Sequence, residues 1–295
     1  MAHKESHAGP TPSHAHALAQ TLRDDGYCIV RRAVPTVTVA TVWDDLAERF
    51  ERTPFSDGDF YGRRTKRFGG VLKRSVRSAE LVTHPLILDV ANLILGPYCD
   101  RLQLNLTQAL AIHPGEIAQA AHRDEDMWSG PKGDVEYLLN IMWPFSPYRA
   151  DNGATQIYPA SHLDRTRAYG DEEAISAEMD PGDVLLFLGS TLHGGGSNRS
   201  LKPRTGLVVS YCLGWLKPYE NQWLVYPPEI ARTFPSDVAD LAGYKQHRPN
   251  LGNYEGQCPS VLLRGAPSEF LGAVDDLRPE QAEALARRSA FLRQG

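Results

Sequence analysis

Apolar side chains recur at helical spacing in the first third of the chain. In residues 36–52 the bulky apolar positions lie on one helical face, with acidic residues between them. The same spacing predicts two further helices: residues 15–25 and 78–95. The second of these is broken at His84-Pro85, because the residue before a proline avoids helical geometry. Residues 55–70 are polar and aromatic, which predicts a long loop of the kind that often lines a site.

The pattern changes period after about residue 101. Short alternating or β-branched runs, separated by turn signals, predict strands at residues 102–113, 119–122, 135–143, 154–159, 174–179, 184–188 and 205–216. Helical spacing returns at residues 227–234 and 279–292. Gly and Pro number 25 and 21, where average usage gives roughly 35 in total. We therefore expect a mainly β fold, a sandwich or jelly-roll barrel with flanking N- and C-terminal helices.

Composition narrows the domain organisation and the class of partner. Residues 1–13 predict a flexible tail, and residues 14–295 read as a single domain. The formal net charge of −5 argues against nucleic acid and anionic membrane surfaces. We find no apolar run near the roughly 20 residues of a membrane span, and no secretory signal. The four cysteines form no CxxC pair, which indicates buried thiols in a cytoplasmic protein. The expected partner is a small-molecule substrate.

Two residues in the middle of the chain have the spacing of metal ligands. His122 and Asp124 lie two apart on a predicted strand and therefore project from the same face. His193 follows an apolar strand and precedes a glycine turn, so it can supply a third ligand. Two histidines and one carboxylate on one face make the facial triad of non-haem Fe(II) oxygenases. Each part alone is weak, because HxD triplets are common and a lone His after a strand is more often structural.

Arg204 strengthens the metal interpretation. It follows His193 after a turn and begins the next predicted strand, so a hairpin return brings it back beside the metal cavity. A guanidinium there suits bidentate capture of the far carboxylate of a dicarboxylic acid. A surface arginine in the turn is the alternative, which the upstream HxD disfavours.

Together these motifs resemble the phytanoyl-CoA dioxygenase family of Fe(II)- and 2-oxoglutarate-dependent oxygenases, and in particular its branch of secondary-metabolite tailoring enzymes. The resemblance rests on His122-x-Asp124, residues 151–155 (DNGAT), residues 159–162 (PASH), residues 181–183 (PGD), His193, Arg204 and residues 220–223 (ENQW). It runs in order from about residue 25 to about residue 259. One departure is Ala160, where the family usually has glycine, and this puts the local turn in doubt.

The resemblance implies a double-stranded β-helix (cupin-like jelly roll) that holds Fe(II) through His122, Asp124 and His193. It implies that 2-oxoglutarate is the cosubstrate, paired through its far carboxylate with Arg204. It also implies that Gln119 and Thr155 hydrogen-bond this cosubstrate, assisted by a basic residue of the early loop, Arg67 before Arg64. With O2, such enzymes oxidise an unactivated C–H bond and release succinate and CO2. Because Asp124 is present, halogenation is disfavoured; hydroxylation is favoured over desaturation, epimerisation or endoperoxide formation.

Aromatic and thioether residues near these motifs are candidates for substrate contact. Met127 and Trp128 follow the HxD segment, and Tyr61 lies in the early loop. All three suit an apolar metabolite. For Trp128 the alternative is a loop anchored by its packing, and for Tyr61 ordinary packing is an equal rival. Asn105 and Thr107 are expected to alternate inward on their strand.

Two alternative functions and one question of assembly stay open at this level. A cupin-like Zn or Mn hydrolase or isomerase would need no cosubstrate, and a non-catalytic barrel would bind ligand without turnover. The apolar run at residues 223–226 either pairs subunits in a homodimer or covers the barrel.

Overall fold

The structure is a computed structural model that describes residues 13–293. The helices are α1 (His14–Asp25), α2 (Thr36–Arg52), α3 (Ser78–Val82), α4 (Pro85–Leu95), α5 (Gln222–Val225), α6 (Pro228–Ala231), α7 (Ser236–Ala239) and α8 (Pro279–Arg293). The strands are β1 (Tyr27–Val30), β2 (Thr65–Phe68), β3 (Leu102–Ile112), β4 (Leu138–Pro144), β5 (Thr155–Ile157), β6 (Ile175–Ser176), β7 (Val184–Leu188), β8 (His193–Gly195) and β9 (Arg204–Leu213). Apart from Ser13, the predicted tail lies outside the described residues, and the single domain stays a prediction.

Two antiparallel sheets make up the body of the molecule. The larger has the order β1-β7-β4-β9-β3-β2, and the smaller has the order β6-β5-β8. The long strands β3 and β9 pair along their whole length, from Leu102 opposite Leu213 to Ile112 opposite Arg204. The sheets form a double-stranded β-helix, the jelly roll expected from the sequence, and they are not closed into a continuous barrel.

Each face of the larger sheet buries a different set of apolar side chains. The outer face packs against α1, α2 and α4, where Leu22, Leu46 and Ile87 are fully buried. The inner face meets the smaller sheet, where Met142, Ile157 and Phe187 belong to a second, smaller cluster. This inner cluster surrounds only part of the space between the sheets. The remainder is the cavity described below.

Among the described residues, Ser78–Tyr98 is the one helical stretch long and apolar enough to cross a membrane by length and composition. An 18-residue window within it has a mean hydropathy of 1.3, but the stretch contains Glu80 and Asp89 and is not an uninterrupted apolar run. It is interrupted between α3 and α4, as His84-Pro85 predicts. Leu81, Val90 and Leu95 are fully buried, so the stretch has the packing of a core helix pair.

Three local predictions are wrong, each for an identifiable reason. The early loop contains the strand β2, which pairs with β3. Its sequence TKRF is short and polar, so the apolar alternation that predicts a strand is absent. The glycine-rich start of the turn after His193 contains β8, because glycines there permit pairing that β-propensity does not predict. On β3 the register shifts between Leu104 and Leu106. As a result Asn105 faces the cavity, whereas the buried hydroxyl of Thr107 lies outside it, bonded to Tyr226.

Candidate active site

His122, Asp124 and His193 lie together on the wall of the cavity between the sheets. Their ligand atoms are all within 4.8 Å of one another. Nε2 of His122 lies 3.4 Å from Oδ1 of Asp124, and Nε2 of His193 lies 3.5 Å from Oδ2. Two imidazole nitrogens and one carboxylate are the donor set of a facial triad, so this cluster can hold a divalent metal ion and leave further coordination positions open.

The backbone brings these side chains together in a way that differs from the predicted strand. His122 and His193 form an isolated antiparallel bridge, with backbone N–H···O distances of 2.9 and 3.0 Å in the two directions. Asp124 begins a 3-10 helix, Asp124–Met127, instead of continuing a strand. Strand alternation over residues 119–124 is therefore not the cause of the shared face. The cause is the bridge to β8 followed by a tight turn.

Both imidazole rings are oriented by backbone carbonyls. Nδ1 of His122 lies 2.9 Å from the carbonyl oxygen of Ala120, and Nδ1 of His193 lies 3.0 Å from that of Thr191. Since a carbonyl only accepts, each Nδ1 carries the hydrogen and donates it. Each Nε2 is then left with a lone pair, which is the tautomer that a metal ion requires.

Asn140 is a site residue that belongs to none of the sequence motifs. Its Nδ2 donates to Oδ2 of Asp124 at 2.9 Å, and its side chain is buried on β4. A sequence signal was present, because Asn140 is the polar residue inside the otherwise apolar run LLNIMW. A buried amide in a strand needs a partner, and here that partner is the carboxylate of the candidate metal site.

The pKa values of the cluster reflect mutual stabilisation. Burial alone would raise the pKa of Asp124, but His193 and His122 outweigh it and hold that pKa far below its usual range. Burial likewise opposes protonation of His122, but the hydrogen bond and charge of Asp124 raise the pKa of that imidazole. Asp124 is thus a carboxylate at any physiological pH, as a metal ligand must be.

Arg204 is buried at the start of β9 and lines the same cavity. It is 1% exposed, its guanidinium carbon lies 4.2 Å from the centroid of the Tyr148 ring, and Nη2 donates to the carbonyl of Gly153 at 2.6 Å. Nε and Nη1 are buried without a hydrogen-bond partner among the described residues. A buried cation with two free donors is costly unless an anion pairs with it, so this part of the cavity is suited to a carboxylate.

Gln119, Thr155 and Arg67 also line the cavity. Oε1 of Gln119 accepts from the backbone N–H of Gly195 at 3.1 Å, which fixes the amide beside β8. Arg67 on β2 donates to Gln108 at 3.0 Å and keeps a buried Nε without a described partner. Burial, and then the charge of Arg204, lower the pKa of Arg67. The two arginines therefore share one electropositive region.

The structure separates Arg67 from Arg64, the other early-loop candidate. Nε of Arg64 donates to the carbonyl of Pro114 at 2.7 Å, and the side chain is exposed. Arg64 is not part of the cavity lining, whereas Arg67 is. Of the two, the structure brings Arg67 to the site.

The cavity has a volume of about 120 Å³ and an aromatic rim. Tyr61 and Met127 line it, together with Phe60 of the same early loop and with Tyr219, which no sequence motif identifies. Phe60 packs edge-on against His122, with ring centroids 4.9 Å apart. The hydroxyls of Tyr61 and Tyr219 are hydrogen-bonded to each other. The early loop and the segment after β9 thus meet over the cavity.

Trp128 is placed differently from the other substrate candidates. Its indole N–H donates to the carbonyl of Lys217 at 2.8 Å, and its ring packs against Tyr137 with centroids 6.2 Å apart. It does not contribute to the cavity lining. The geometry corrects the expectation of substrate contact and matches the alternative, a loop anchored by tryptophan packing.

A jelly roll with a His-Asp-His cluster and a buried arginine is typical of metal-dependent oxygenases. Comparison with known proteins identifies the family. The sequence model described as phytanoyl-CoA dioxygenase matches residues 22–206. The chain belongs to this family, and it is an enzyme of the dioxygenase class. It is 33% identical over 271 residues to the dioxygenase FrzG of Cladobotryum sp, covering 81% of this chain and 88% of that protein. It is 31% identical over 250 residues to the dioxygenase trt7 of Aspergillus terreus, covering 80% and 86%.

Solved structures show the same fold at lower sequence identity. The epimerase SnoN, crystallised with Fe3+, alpha ketoglutarate and nogalamycin RO, superposes with a TM-score of 0.58 at 20% identity, covering 70% of this chain and 86% of that one. HygX from Streptomyces hygroscopicus, with nickel and 2-oxoglutarate bound, gives a TM-score of 0.55 at 14% identity, covering 69% and 89%. These likenesses establish the jelly-roll architecture.

Proposed function

We propose that this protein is an Fe(II)- and 2-oxoglutarate-dependent dioxygenase that hydroxylates an unactivated C–H bond of a small, largely apolar metabolite. The observation that carries the proposal is the juxtaposition of two features in one cavity. One is the His122, Asp124 and His193 cluster, and the other is the buried guanidinium of Arg204 with two free donors. A metal site alone would suit many reactions. A metal site beside an unpaired buried cation suits a metal and an anionic cosubstrate.

The donor set fits Fe(II). Neutral imidazole and carboxylate are ligands that iron of this class accepts, and three protein ligands leave room for a bidentate cosubstrate and O2. The carbonyls of Ala120 and Thr191 select the Nε2 lone pairs, and Asn140 holds one oxygen of Asp124. Outer hydrogen bonds of this kind orient metal ligands and increase their affinity.

The arginine fits 2-oxoglutarate. In this proposal the guanidinium of Arg204 donates to the carboxylate remote from the metal, a charge-assisted arrangement. The amide of Gln119, the hydroxyl of Thr155 and the guanidinium of Arg67 line the same space and supply further donors to the cosubstrate. This polar set also argues against a Zn or Mn hydrolase, which would need no anionic cosubstrate. The complete set of metal ligands beside it argues against a non-catalytic barrel.

When bound, Fe(II) and 2-oxoglutarate supply the oxidising chemistry, in which O2 is consumed and succinate and CO2 are released. The contribution of the chain is to bind, orient and exclude water. Phe60 and Phe187 pack on the two imidazoles and keep water from them. Tyr61, Met127 and Tyr219 lie on the rim, where they would orient the target carbon of an apolar substrate.

The comparisons support a tailoring role. FrzG and trt7 are named as dioxygenases of fungi, and SnoN is an epimerase of nogalamycin biosynthesis. SnoK, with the same architecture at a TM-score of 0.54 and 18% identity, is a carbocyclase of that biosynthesis. We propose hydroxylation as the favoured outcome, and the two neighbours show that proteins of this architecture also carry out epimerisation and carbocyclisation. We further propose a cytoplasmic enzyme, since its four cysteines are free thiols, two of them buried.

A turnover screen tests the proposed function. Protein loaded anaerobically with Fe(II) is mixed with 2-oxoglutarate, O2 and a panel of apolar metabolites, and succinate is measured. We expect succinate formation to need both Fe(II) and 2-oxoglutarate, to rise with an accepted metabolite, and to place one atom of isotopically labelled O2 in the product. Substrate conversion that proceeds without 2-oxoglutarate would point to the hydrolase or isomerase instead. In the same assay, Arg204→Met removes the guanidinium that is proposed to bind 2-oxoglutarate. Its matched control is Arg199→Met, which changes an exposed arginine in the turn before Arg204.

A further inference from the structure

A second cavity lies on the other side of the segment that closes the active site. Its volume is about 340 Å³, against about 120 Å³ for the catalytic cavity, and the two share no lining residue. Residues 214–218 and 221–223 line it together with Gln103, and the remaining lining residues are Ala242, Gly243, Lys245, His247, Leu251 and Gly252. Tyr219, between the first two groups, lines the catalytic cavity instead. The second cavity is therefore a separate space.

Two of its lining residues are buried and have an unsatisfied polar atom. Gln222 is 4% exposed; its Nε2 donates to the carbonyl of Asn105 at 3.2 Å, whereas its Oε1 has no described partner. His247 is also 4% exposed. Its Nε2 accepts the backbone N–H of Asp100 at 3.0 Å, so the hydrogen resides on Nδ1, which has no described partner. Buried groups left in this state are costly unless a ligand or water satisfies them.

Aromatic faces and positive charge complete the cavity wall. The indole N–H of Trp215 donates to Tyr98 at 3.0 Å, and that of Trp223 donates to Gly243 at 3.1 Å. These bonds fix both rings, and each ring is less than half exposed. Lys217 and Lys245 also line the cavity, and no carboxylate is among the described residues of its wall. Neither lysine makes an ion pair with another described residue.

We propose that this second cavity is a binding site for a flat, largely apolar organic acid. The fixed indole rings offer stacking surface to a flat molecule. Lys217 and Lys245 at the exposed edge supply the charge that complements a carboxylate. The site takes a different ligand from the catalytic cavity, since no cluster of metal-ligating side chains is among the described residues of its wall.

Binding of 2-naphthoate tests the proposal. Isothermal titration and quenching of tryptophan fluorescence are measured on the full-length protein, with 2-naphthamide as an uncharged molecule of the same shape. We expect one molecule of 2-naphthoate to bind, and the amide to bind about tenfold more weakly. Trp223→Ala is expected to weaken binding at least tenfold, and Lys217→Gln and Lys245→Gln about threefold each.

The control variants assign the binding to this cavity. Both cavity lysines are exposed, so their replacement leaves the core intact, and Lys202→Gln changes an exposed lysine elsewhere. Lys202→Gln and Arg204→Met are both expected to leave 2-naphthoate affinity unchanged. The proposal is overturned if no 2-naphthoate binds, or if the two cavity lysines can be replaced without effect. It is also overturned if Arg204→Met abolishes binding, which would place the probe in the catalytic cavity. Light scattering that shows a dimer disrupted by Trp223→Ala would overturn it too, because the occupant would then be a second copy of the chain.

Discussion

Replacing Arg204 with methionine should separate cosubstrate binding from folding. The change removes a guanidinium that is 1% exposed and has two unpartnered donors, while a linear apolar side chain keeps contact with the Tyr148 ring. Each hydrogen bond to a charged group is worth about 1.5–3 kcal/mol. Two such bonds to a carboxylate therefore contribute about 3 kcal/mol or more. At about 1.4 kcal/mol per factor of ten, 2-oxoglutarate should bind Arg204→Met roughly 100-fold more weakly or worse.

The same substitution should leave the unliganded protein as stable as before, or more stable. It gives up one hydrogen bond to Gly153, worth about 1 kcal/mol. It also removes an unpaired buried charge, and apolar replacement of buried charged groups is often neutral or stabilising. Arg204 thus contributes little to the free energy of unfolding until its anion is present.

Thermal denaturation of metal-loaded protein, with and without 2-oxoglutarate, measures both effects. At a cosubstrate concentration 100 times its Kd, the parent protein should gain about 2.7 kcal/mol of stability, and the variant about 0.4 kcal/mol. Arg199→Met should behave like the parent, and Arg67→Met should fall between them. An equal rise in Tm for the parent and Arg204→Met would refute the reasoning, because the guanidinium would then not contact the cosubstrate.

Four further predictions concern the metal site and two unusual positions. Asn140→Leu removes the donor to Asp124 and should weaken Mn(II) binding by roughly 10- to 100-fold in isothermal titration; unchanged affinity would contradict the positioning role. The pKa of His122 is raised above its ordinary 6.5, so the apo protein should lose stability as the pH rises from about 6.5, whereas metal binding should strengthen over the same interval. Burial raises the pKa of Glu136 from 4.5 to about 8; the Tm advantage of Glu136→Gln should therefore grow between these pH values and stay constant above them. Ala160→Gly should raise the free energy of unfolding by up to about 1 kcal/mol in urea titration, because Ala160 has a φ of 57°.

The sequence predicts the chemistry of this protein better than its local geometry. His122, Asp124, His193 and Arg204 are recognisable because their chemical types and their order along the chain are unusual in combination. The doubt raised by Ala160 also has a structural basis, since that residue occupies the left-handed region, where glycine is unstrained. These features depend on residue identity, which the sequence shows directly.

Features that depend on long-range pairing are harder to predict. The bridge between His122 and His193 joins residues that are distant in the chain, so no local pattern shows that 119–122 is not a regular strand. The register shift beside Asn105 reverses the expected facing of its neighbours on β3. Tyr219 lies at the cavity, where its backbone N–H donates to the Asn105 side chain at 2.7 Å. Each outcome is decided by tertiary contacts, which override local preference.

The central claim is that one cavity binds a metal through His122, Asp124 and His193 and binds 2-oxoglutarate beside it. Anaerobic titration of Fe(II)-loaded protein with 2-oxoglutarate, followed by visible absorption, tests this claim most directly. We predict a weak charge-transfer band that saturates at one 2-oxoglutarate per iron and that, in Arg204→Met, needs a roughly 100-fold higher concentration to develop. Folded, iron-loaded protein that shows no such band would contradict the account.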